Sequence, residues 1–296
     1  MSNGILKRQN DANNISKLAA QKQLYSDINS IEIVNILLTV MVPVTSSLIY
    51  GWTENEHPCI AFWINTIACC LSLLMVIISP LIDNVQKSKR MLAATIQQQF
   101  DIDVFTMNWD EKLFGQRKNL SFEIASSSKK ILENKNKKKK LENWYREEVD
   151  ELSLEEGIAT CQKENFNWDR GLRIRYIIFL SIILVIILIV QVIIALVNDN
   201  TLREFICFGM FSVLSALTWI IKTINEIIGD LNRLKTVGDS VYSMNKKNMD
   251  ELTFIQRDIF ECRQSFTKIP NWFYRLFKNC DEDRERRVMQ MMMGTK

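Results

Sequence analysis

Residues 176–197, YIIFLSIILVIILIVQVIIALV, decide the fold class, because Leu, Ile and Val fill most of the stretch and no charge interrupts it. An α-helix rises 1.5 Å per residue, so about 20 apolar residues cross a hydrocarbon core of ~30 Å. In lipid, an isolated segment can satisfy its own backbone hydrogen bonds only as a helix. The stretch therefore predicts a transmembrane helix.

Three other apolar runs pass the same test of length and composition. They are residues 33–52, 60–81 and 205–221. Short segments join the spans in pairs, at 53–59 and at 198–204, which predicts two helical hairpins. Glycine and proline are scarce, at 9 and 4 residues, and this favours long helices over turn-rich β architecture. We expect an all-α protein, a four-helix transmembrane bundle of two hairpins with helical cytoplasmic extensions.

The distribution of Lys and Arg predicts which side of the membrane each segment occupies. Of the 37 Lys and Arg residues, Arg203 is the only one in the two short loops. The positive-inside rule therefore places both termini and the segment between the hairpins in the cytoplasm. The predicted parts are an N-terminal cytoplasmic amphipathic helix (1–30), a first transmembrane hairpin (31–82), a cytoplasmic middle domain (83–175), a second transmembrane hairpin (176–222) and a C-terminal cytoplasmic helical region (223–296).

The middle domain contains a lysine-rich run, with Lys135 and then four consecutive lysines at 137–140. Such a run attracts anionic lipid or phosphate. The alternative is a solvated loop that only helps to fix the topology.

No pattern in the chain indicates catalysis. The single histidine is His57, in a short loop, and there is no GxxxxGK[ST], GxGxxG or HExxH motif and no EF-hand loop. The seven cysteines show no metal-ligand spacing. We expect no enzymatic activity, no catalytic residues, no bound metal and no cofactor, although a carboxylate-based enzyme acting on lipid or nucleotide stays open.

Polar residues inside the spans are candidates for a pore lining, because such residues are costly in lipid and often functional. In the fourth span they recur every three or four residues, and in the first span they lie one turn apart. They are Ser212, Ser215, Thr218 and Lys222, with Asn35 and Thr39 in the first span. One interpretation is a water-accessible pore that forms on oligomerisation. The other is helix packing, since hydroxyl-bearing residues also hold membrane helices together.

Six short strings, which lie outside the spans except for Tyr176 at the start of the third, carry a family resemblance. They are RQN (8–10), LAAQKQLY (18–25), QFDIDVF (99–105) with Trp109, WY (144–145), CQKEN (161–165) with Trp168, Asp169, Arg173 and Tyr176, and IPNWFY (269–274). In this order around four spans, the chain resembles the SMODS-associating four-transmembrane family, whose members are proposed to form pores. Lys22 and Lys163 stand where the family often has Arg.

The resemblance implies a membrane effector of bacterial anti-phage defence in the inner membrane. It implies an oligomeric channel gated by a nucleotide-type signal, a cyclic nucleotide or a short oligonucleotide, from a partner nucleotidyltransferase, with growth arrest or cell death as the outcome. The rival interpretation is a non-conducting membrane anchor or scaffold that recruits a cytoplasmic partner.

The strings also supply candidate ligand-binding or gating residues. Aromatic rings stack on bases, amides read base edges, and Arg or Lys binds phosphate. The candidates are Arg8, Asn10, Gln21, Tyr25, Gln99, Phe100, Asp101, Asp103, Trp144, Tyr145, Gln162, Asn165, Trp168, Asp169 and Arg173. The alternative is that these side chains pack the cytoplasmic helices together.

The predicted topology can be tested with alkaline phosphatase fusions in bacterial cells, because this reporter folds only where its disulfides form. Fusions after residues 56 and 200 should be active, and fusions after residues 30, 120 and 235 should be inactive. An active fusion after residue 30 would contradict the topology.

Overall fold

The computed structural model describes residues 2–242 and 248–277, without the side chains of 164–169 and 240–242. All regular structure in these ranges is helical. The helices are α1 (Ile5–Gln9), α2 (Ala12–Ile36), α3 (Val42–Thr53), α4 (Pro58–Phe105), α5 (Glu111–Phe114), α6 (Ser121–Leu132), α7 (Lys135–Lys139), α8 (Leu154–Val197), α9 (Leu202–Glu204), α10 (Leu214–Tyr242) and α11 (Met249–Ser265), followed by a helix at 271–277. The all-α prediction is confirmed.

The chain forms two compact units. The charged unit comprises Met1–Ile28, Lys87–Leu172 and Gly229–Lys296, and the membrane unit comprises Asn29–Gln86 and Arg173–Ile228. Four of the helices, α2, α4, α8 and α10, contribute residues to both units.

Three helices are long and apolar enough to cross a membrane. They are Ala12–Thr53, Pro58–Phe105 and Arg170–Val197. The first is α2 and α3 joined by a π-helical turn, Leu37–Met41. The fourth span is a pair of segments, Leu202–Met210 and Leu214–Asp239, bent by 65°. The chain therefore has four spans only if the bent pair counts as one.

The bend in the fourth span has a local cause. Its first part contains a π-helical stretch, Phe205–Met210. The Ser212 hydroxyl then donates a 2.6 Å hydrogen bond to the carbonyl of Gly209. Serine side chains that bond to the backbone compete with the helical ladder, and Gly/Ser pairs are common at sharp kinks. The run at 205–221 is therefore interrupted although it contains no charged residue.

The first span is also irregular, at Pro43. Proline has no backbone N–H, so Pro43 removes one donor from the turn that contains Thr39. The hydroxyl of Ser215, at the start of α10, donates to the carbonyl of Thr39 over 2.8 Å. The irregular turn of the first span thus receives a hydrogen bond from the broken fourth span.

The second span completes this arrangement through Ser72. The amide N–H of Ser215 lies in the first turn of α10, where a helix leaves its N–H groups without internal partners. It donates to the hydroxyl oxygen of Ser72 over 2.8 Å, and the Ser72 hydroxyl lies 3.1 Å from that of Ser215. We call Thr39, Ser72 and Ser215 the hydroxyl node.

The core of the charged unit surrounds a buried carboxylate. Phe100 and Phe105 on α4 pack on the ring of Tyr145, with centroids 6.2 and 5.4 Å apart. The Tyr145 hydroxyl donates to Asp101 over 2.8 Å, and Asp101 is fully buried. Gln9 fixes the backbone of Tyr145 by accepting from its N–H at 2.7 Å and donating to its carbonyl at 3.1 Å.

Asp101 is neutralised by Arg263 of α11. The Arg263 guanidinium lies 2.5 Å from the Asp101 carboxylate, and Gln256 donates to the same oxygen over 3.0 Å. Burial alone would lower the pKa of Arg263, but the charge of Asp101 and the Tyr145 hydroxyl outweigh it, so the pKa is raised. Helices α4 and α11 and the segment around Tyr145 are therefore joined through one carboxylate.

Replacing Arg263 with Met should lower the free energy of unfolding of the charged unit by about 3–5 kcal/mol, because Asp101 would remain buried without a counter-charge. The control is Arg257→Met on the same helix. Arg257 pairs with its neighbour Asp258 at a partly exposed site, so we expect at most about 1 kcal/mol. Thermal and denaturant unfolding of the full chain in detergent measures both, and equal losses would contradict the prediction.

Replacing Ser72 with Ala should destabilise the membrane unit by about 1–3 kcal/mol, because the Ser215 N–H would lose its partner inside the bundle. The control is Thr66→Val on the same helix. The Thr66 hydroxyl bonds to the carbonyl of Phe62 in its own helix, so its removal should change stability little. Thermal denaturation in detergent compares the variants, and a Ser72→Ala protein as stable as the control would refute the role of the node.

Candidate functional site

The first span turns polar side chains toward the interior of the membrane unit. Buried residues recur at every third or fourth position along this span. Apart from Pro43 they are mainly polar: Glu32, Asn35, Thr39, Ser47 and Tyr50. The opposite face is exposed and apolar: Ile33, Val34, Leu37, Leu38, Met41, Val42, Leu48, Ile49 and Trp52. This is the pattern expected of a helix with lipid on one side and a polar interior on the other.

The second span has a similar inward face. Its buried residues repeat at alternating spacings of four and three up to Ser79 and are small or polar, apart from Met75: Ala61, Asn65, Ala68, Ser72, Ser79 and Gln86. Small residues let membrane helices approach closely, and hydroxyl groups can bond across the contact. Spans one and two together therefore give the interior its polar character.

Hydrogen bonds connect the first span to the other three spans at three levels of the membrane unit. Gln86 donates to Glu32 over 2.7 Å at one level. The hydroxyl node lies at the second. At the third, Ser47 and Gln191 exchange hydrogen bonds of 2.8 and 3.1 Å. Gln191 is the one polar residue in the last half of the 176–197 stretch, and it is turned inward.

Four of the six predicted pore-lining residues are buried inside the membrane unit of a single chain: Asn35, Thr39, Ser212 and Ser215. Thr39 and Ser215 are in direct contact. Thr218 is exposed, and its hydroxyl bonds to the carbonyls of Leu214 and Ser215. Lys222 forms an ion pair with Asp83 and lies 3.8 Å from Glu226.

The predicted ligand-binding residues fall into two groups. Seven are buried: Gln21, Gln99, Phe100, Asp101, Tyr145, Gln162 and Arg173. Several bond within the core of the charged unit. Gln99, for example, donates to the carbonyl of Lys118, and Gln162 donates to Gln256 and to the carbonyl of Leu252. Arg173 alone of the seven belongs to the membrane unit.

The second group is at least partly exposed: Arg8, Asn10, Tyr25, Asp103 and Trp144. The Arg8 guanidinium donates to the carbonyl of Val104 over 2.6 Å, and partial burial lowers its pKa despite the charges of Asp150 and Asp11. Asp103 pairs with Lys17 and Arg117. The side chains of Asn165, Trp168 and Asp169 lie outside the described residues.

The charged unit has an exposed aromatic ring, Trp144, four residues after the lysine-rich run ends at Lys140. The Trp144 side chain is 41% exposed. Its neighbour Asn143 accepts from the Asn10 amide over 2.8 Å, and its own backbone N–H donates to Asn10 over 3.0 Å. Burial, and then the charges of Lys140 and Lys137, lower the pKa of Lys22. We call Lys22, Lys137, Lys140 and Trp144 the cationic surface.

The sequence analysis did not select several residues that the structure places in the polar interior of the membrane unit or on the cationic surface. In the membrane unit they are Ser47, Asn65, Ser72 and Gln191, and the repeat of small and polar residues through 61–79 was the available signal. On the charged unit, the convergence of Lys22 with the lysine-rich run had no local signal, because the residues are far apart in the chain.

Comparison with known proteins agrees with this architecture. A family model described as the SMODS-associating 4TM effector domain matches residues 3–292. A probable CBASS effector molecule of Bacillus cereus (strain VD146) is 24% identical over 291 residues, which are 95% of this chain and 95% of that protein. No solved structure matches the chain. With a match over nearly its whole length and long apolar helices as its framework, the protein belongs to the SMODS-associating 4TM effector family of membrane proteins.

Proposed function

We propose that the protein is the membrane-permeabilising effector of a CBASS anti-phage system. The observation that carries this proposal is the polar interior of the membrane unit, which a helix bundle serving only as an anchor does not need. The related B. cereus protein, described as a probable CBASS effector molecule, supports the same assignment. In the proposed function, activation lets ions cross the inner membrane, and the infected cell stops growing or dies.

The proposed signal is a cyclic nucleotide or short oligonucleotide made by a partner nucleotidyltransferase. The cationic surface has the chemistry that such a ligand requires. A base can stack on the exposed ring of Trp144, which contributes about 1–3 kcal/mol. The three lysines can bind phosphate groups. Binding shifts the channel toward its conducting state only to the extent that the ligand prefers that state.

The proposed working form is a homo-oligomer in the bacterial inner membrane, with both termini in the cytoplasm. The near absence of positive charge from the two short loops supports this orientation. The broad apolar faces of the spans, which include Ile67, Ile77 and Leu196, can contact lipid or a second copy. Of the predicted pore-lining residues, the buried four are the ones that we assign to conduction.

A second candidate is a non-conducting anchor that recruits a cytoplasmic partner. The hydroxyl node favours it, because Ser72, Ser215 and the Thr39 carbonyl bond to one another as in ordinary helix packing. The two candidates differ in a single property, the flow of ions through a reconstituted membrane.

The deciding experiment measures ion flux from liposomes that contain the full chain, with and without a nucleotide extract from cells expressing the partner synthase. We expect flux only with the extract. Trp144→Ala combined with Lys137→Gln and Lys140→Gln should raise the extract needed for half-maximal flux at least about tenfold, as expected for losing stacking and phosphate contacts.

The matched control is Phe122→Ala combined with Lys129→Gln and Lys130→Gln. Phe122 is 82% exposed, and these lysines lie on the same unit in helix α6. The control should respond like the parent protein. A membrane that stays tight with the extract, although the protein is inserted and folded, would favour the anchor. Equal responses of the two variants would reject the cationic surface as the ligand site.

A further inference from the structure

Two buried asparagines in the membrane unit have unsatisfied side chains. Asn35 and Asn65 are both 0% exposed. Within the described part of the chain, neither the amide nitrogen nor the amide oxygen of either residue has a hydrogen-bond partner. A buried amide that has neither a protein partner nor water destabilises the folded state, because it has lost its hydrogen bonds to solvent without replacement. Water inside the unit would remove this cost, because a buried water typically bonds to two to four polar groups.

The two amides lie on either side of the hydroxyl node. Asn35 precedes Thr39 by one turn on the buried face of the first span, about 6 Å along the axis. Asn65 precedes Ser72 by two turns on the buried face of the second span, about 10 Å along the axis. Because only 54–57 separate α3 from α4, the two helices run antiparallel. Asn35 and Asn65 therefore flank the node from opposite directions.

Further polar groups continue this column toward both ends of the unit. Glu32 and Gln86 lie beyond Asn35, and Ser47 with Gln191 lies on the other side of the node. From Glu32 to Ser47 the first span rises about 22 Å, most of a ~30 Å hydrocarbon core. Leu180 and Ile187 of α8 are buried as an apolar wall. A row of amides and hydroxyls beside an apolar wall is a setting in which a narrow file of water can form.

We propose that this column is a hydrated path for small monovalent ions within each protomer, and that the hydroxyl node closes it at rest. The inference rests on the proposed function and deepens it. In an oligomer, the path lies among the four spans of every subunit and not between subunits. Opening requires the Ser72 and Ser215 hydroxyls to exchange their mutual hydrogen bonds for bonds to water or to the passing ion.

The size of the path follows from its construction. Side chains of all four spans are buried around the column, including Tyr176, Leu180, Val213 and Ile220. Such packing leaves room for ions that shed or share part of their hydration shell. Solutes as large as a fluorescent dye should be excluded.

Hydration of the column is tested first, in a way that requires no activating signal. Asn65→Cys and Ile67→Cys are prepared in the full chain with Cys59, Cys69, Cys70 and Cys207 replaced by alanine, and a small charged thiol reagent is added to liposomes. Ile67 lies on the same helix but is 64% exposed on the apolar outer face. Only a hydrated thiol ionises and reacts, so Asn65→Cys should react at least about tenfold faster.

Conduction is tested with the synthase extract as the activating probe. Asn65→Leu should reduce potassium and chloride flux at least about tenfold, whereas Thr66→Val should conduct like the parent protein. Calcein should stay trapped while ions cross.

The outcomes separate the inference from the function on which it rests. An Asn65→Cys variant no more reactive than the Ile67→Cys variant, with normal flux through Asn65→Leu, would overturn the path inside the protomer and leave the signal-dependent flux of the parent intact. Calcein release together with ions would also overturn it, in favour of a wider pore between subunits. A parent protein that passes no ions with the extract would refute the proposed function, and the path with it.

Discussion

The membrane unit depends on one constraint: inside a bilayer, backbone groups that a helix leaves unpaired must find partners within the protein. Pro43 disturbs the first span and the Gly209–Ser212 turn breaks the fourth, and either irregularity alone would leave polar backbone groups in a dry environment. The structure brings the two together. Ser215 donates its hydroxyl to the turn before Pro43 and its N–H to Ser72, so each irregularity is stabilised by the other and the second span is held between them.

The charged unit is subject to a similar constraint, because it buries a full charge that must also find partners within the protein. Asp101 is buried, and its carboxylate oxygens accept hydrogen bonds from Tyr145, Gln256 and Arg263. A buried ion pair of this kind adds little net stability, yet removing one partner is costly because the other remains unpaired. Such a centre constrains which segments must meet. The strings that resemble the family contain two of these residues, Asp101 and Tyr145, which shows that at least part of that resemblance reflects packing of the core.

The spans could be read from the sequence, because the length and composition of an apolar run are local properties and bilayer thickness is fixed. The bend at 211–213 could not, since it depends on where the Ser212 hydroxyl and the Ser215 N–H find partners. The candidate sites were recognised unevenly for the same reason. Asn35 and Thr39 stood out as polar residues one turn apart, but the repeat of small and polar residues that contains Asn65 was not recognised. The sequence around Phe100 and Asp101 is the same whether these side chains bind a ligand or pack in the core. Only the fold distinguishes these two roles.

Stability and function make opposite demands on the interior of the membrane unit. A bundle selected only for stability would fill positions 35 and 65 with apolar side chains, because these would remove two unsatisfied amides from its interior. Ser47 and Gln191 satisfy each other, so packing alone can account for that pair. The side-chain amides of Asn35 and Asn65 have no hydrogen-bond partner in the part of the chain that the structure describes. The proposed hydration of the bundle accounts for the cost of keeping them, because water on both sides of the hydroxyl node would supply hydrogen-bond partners for both amides.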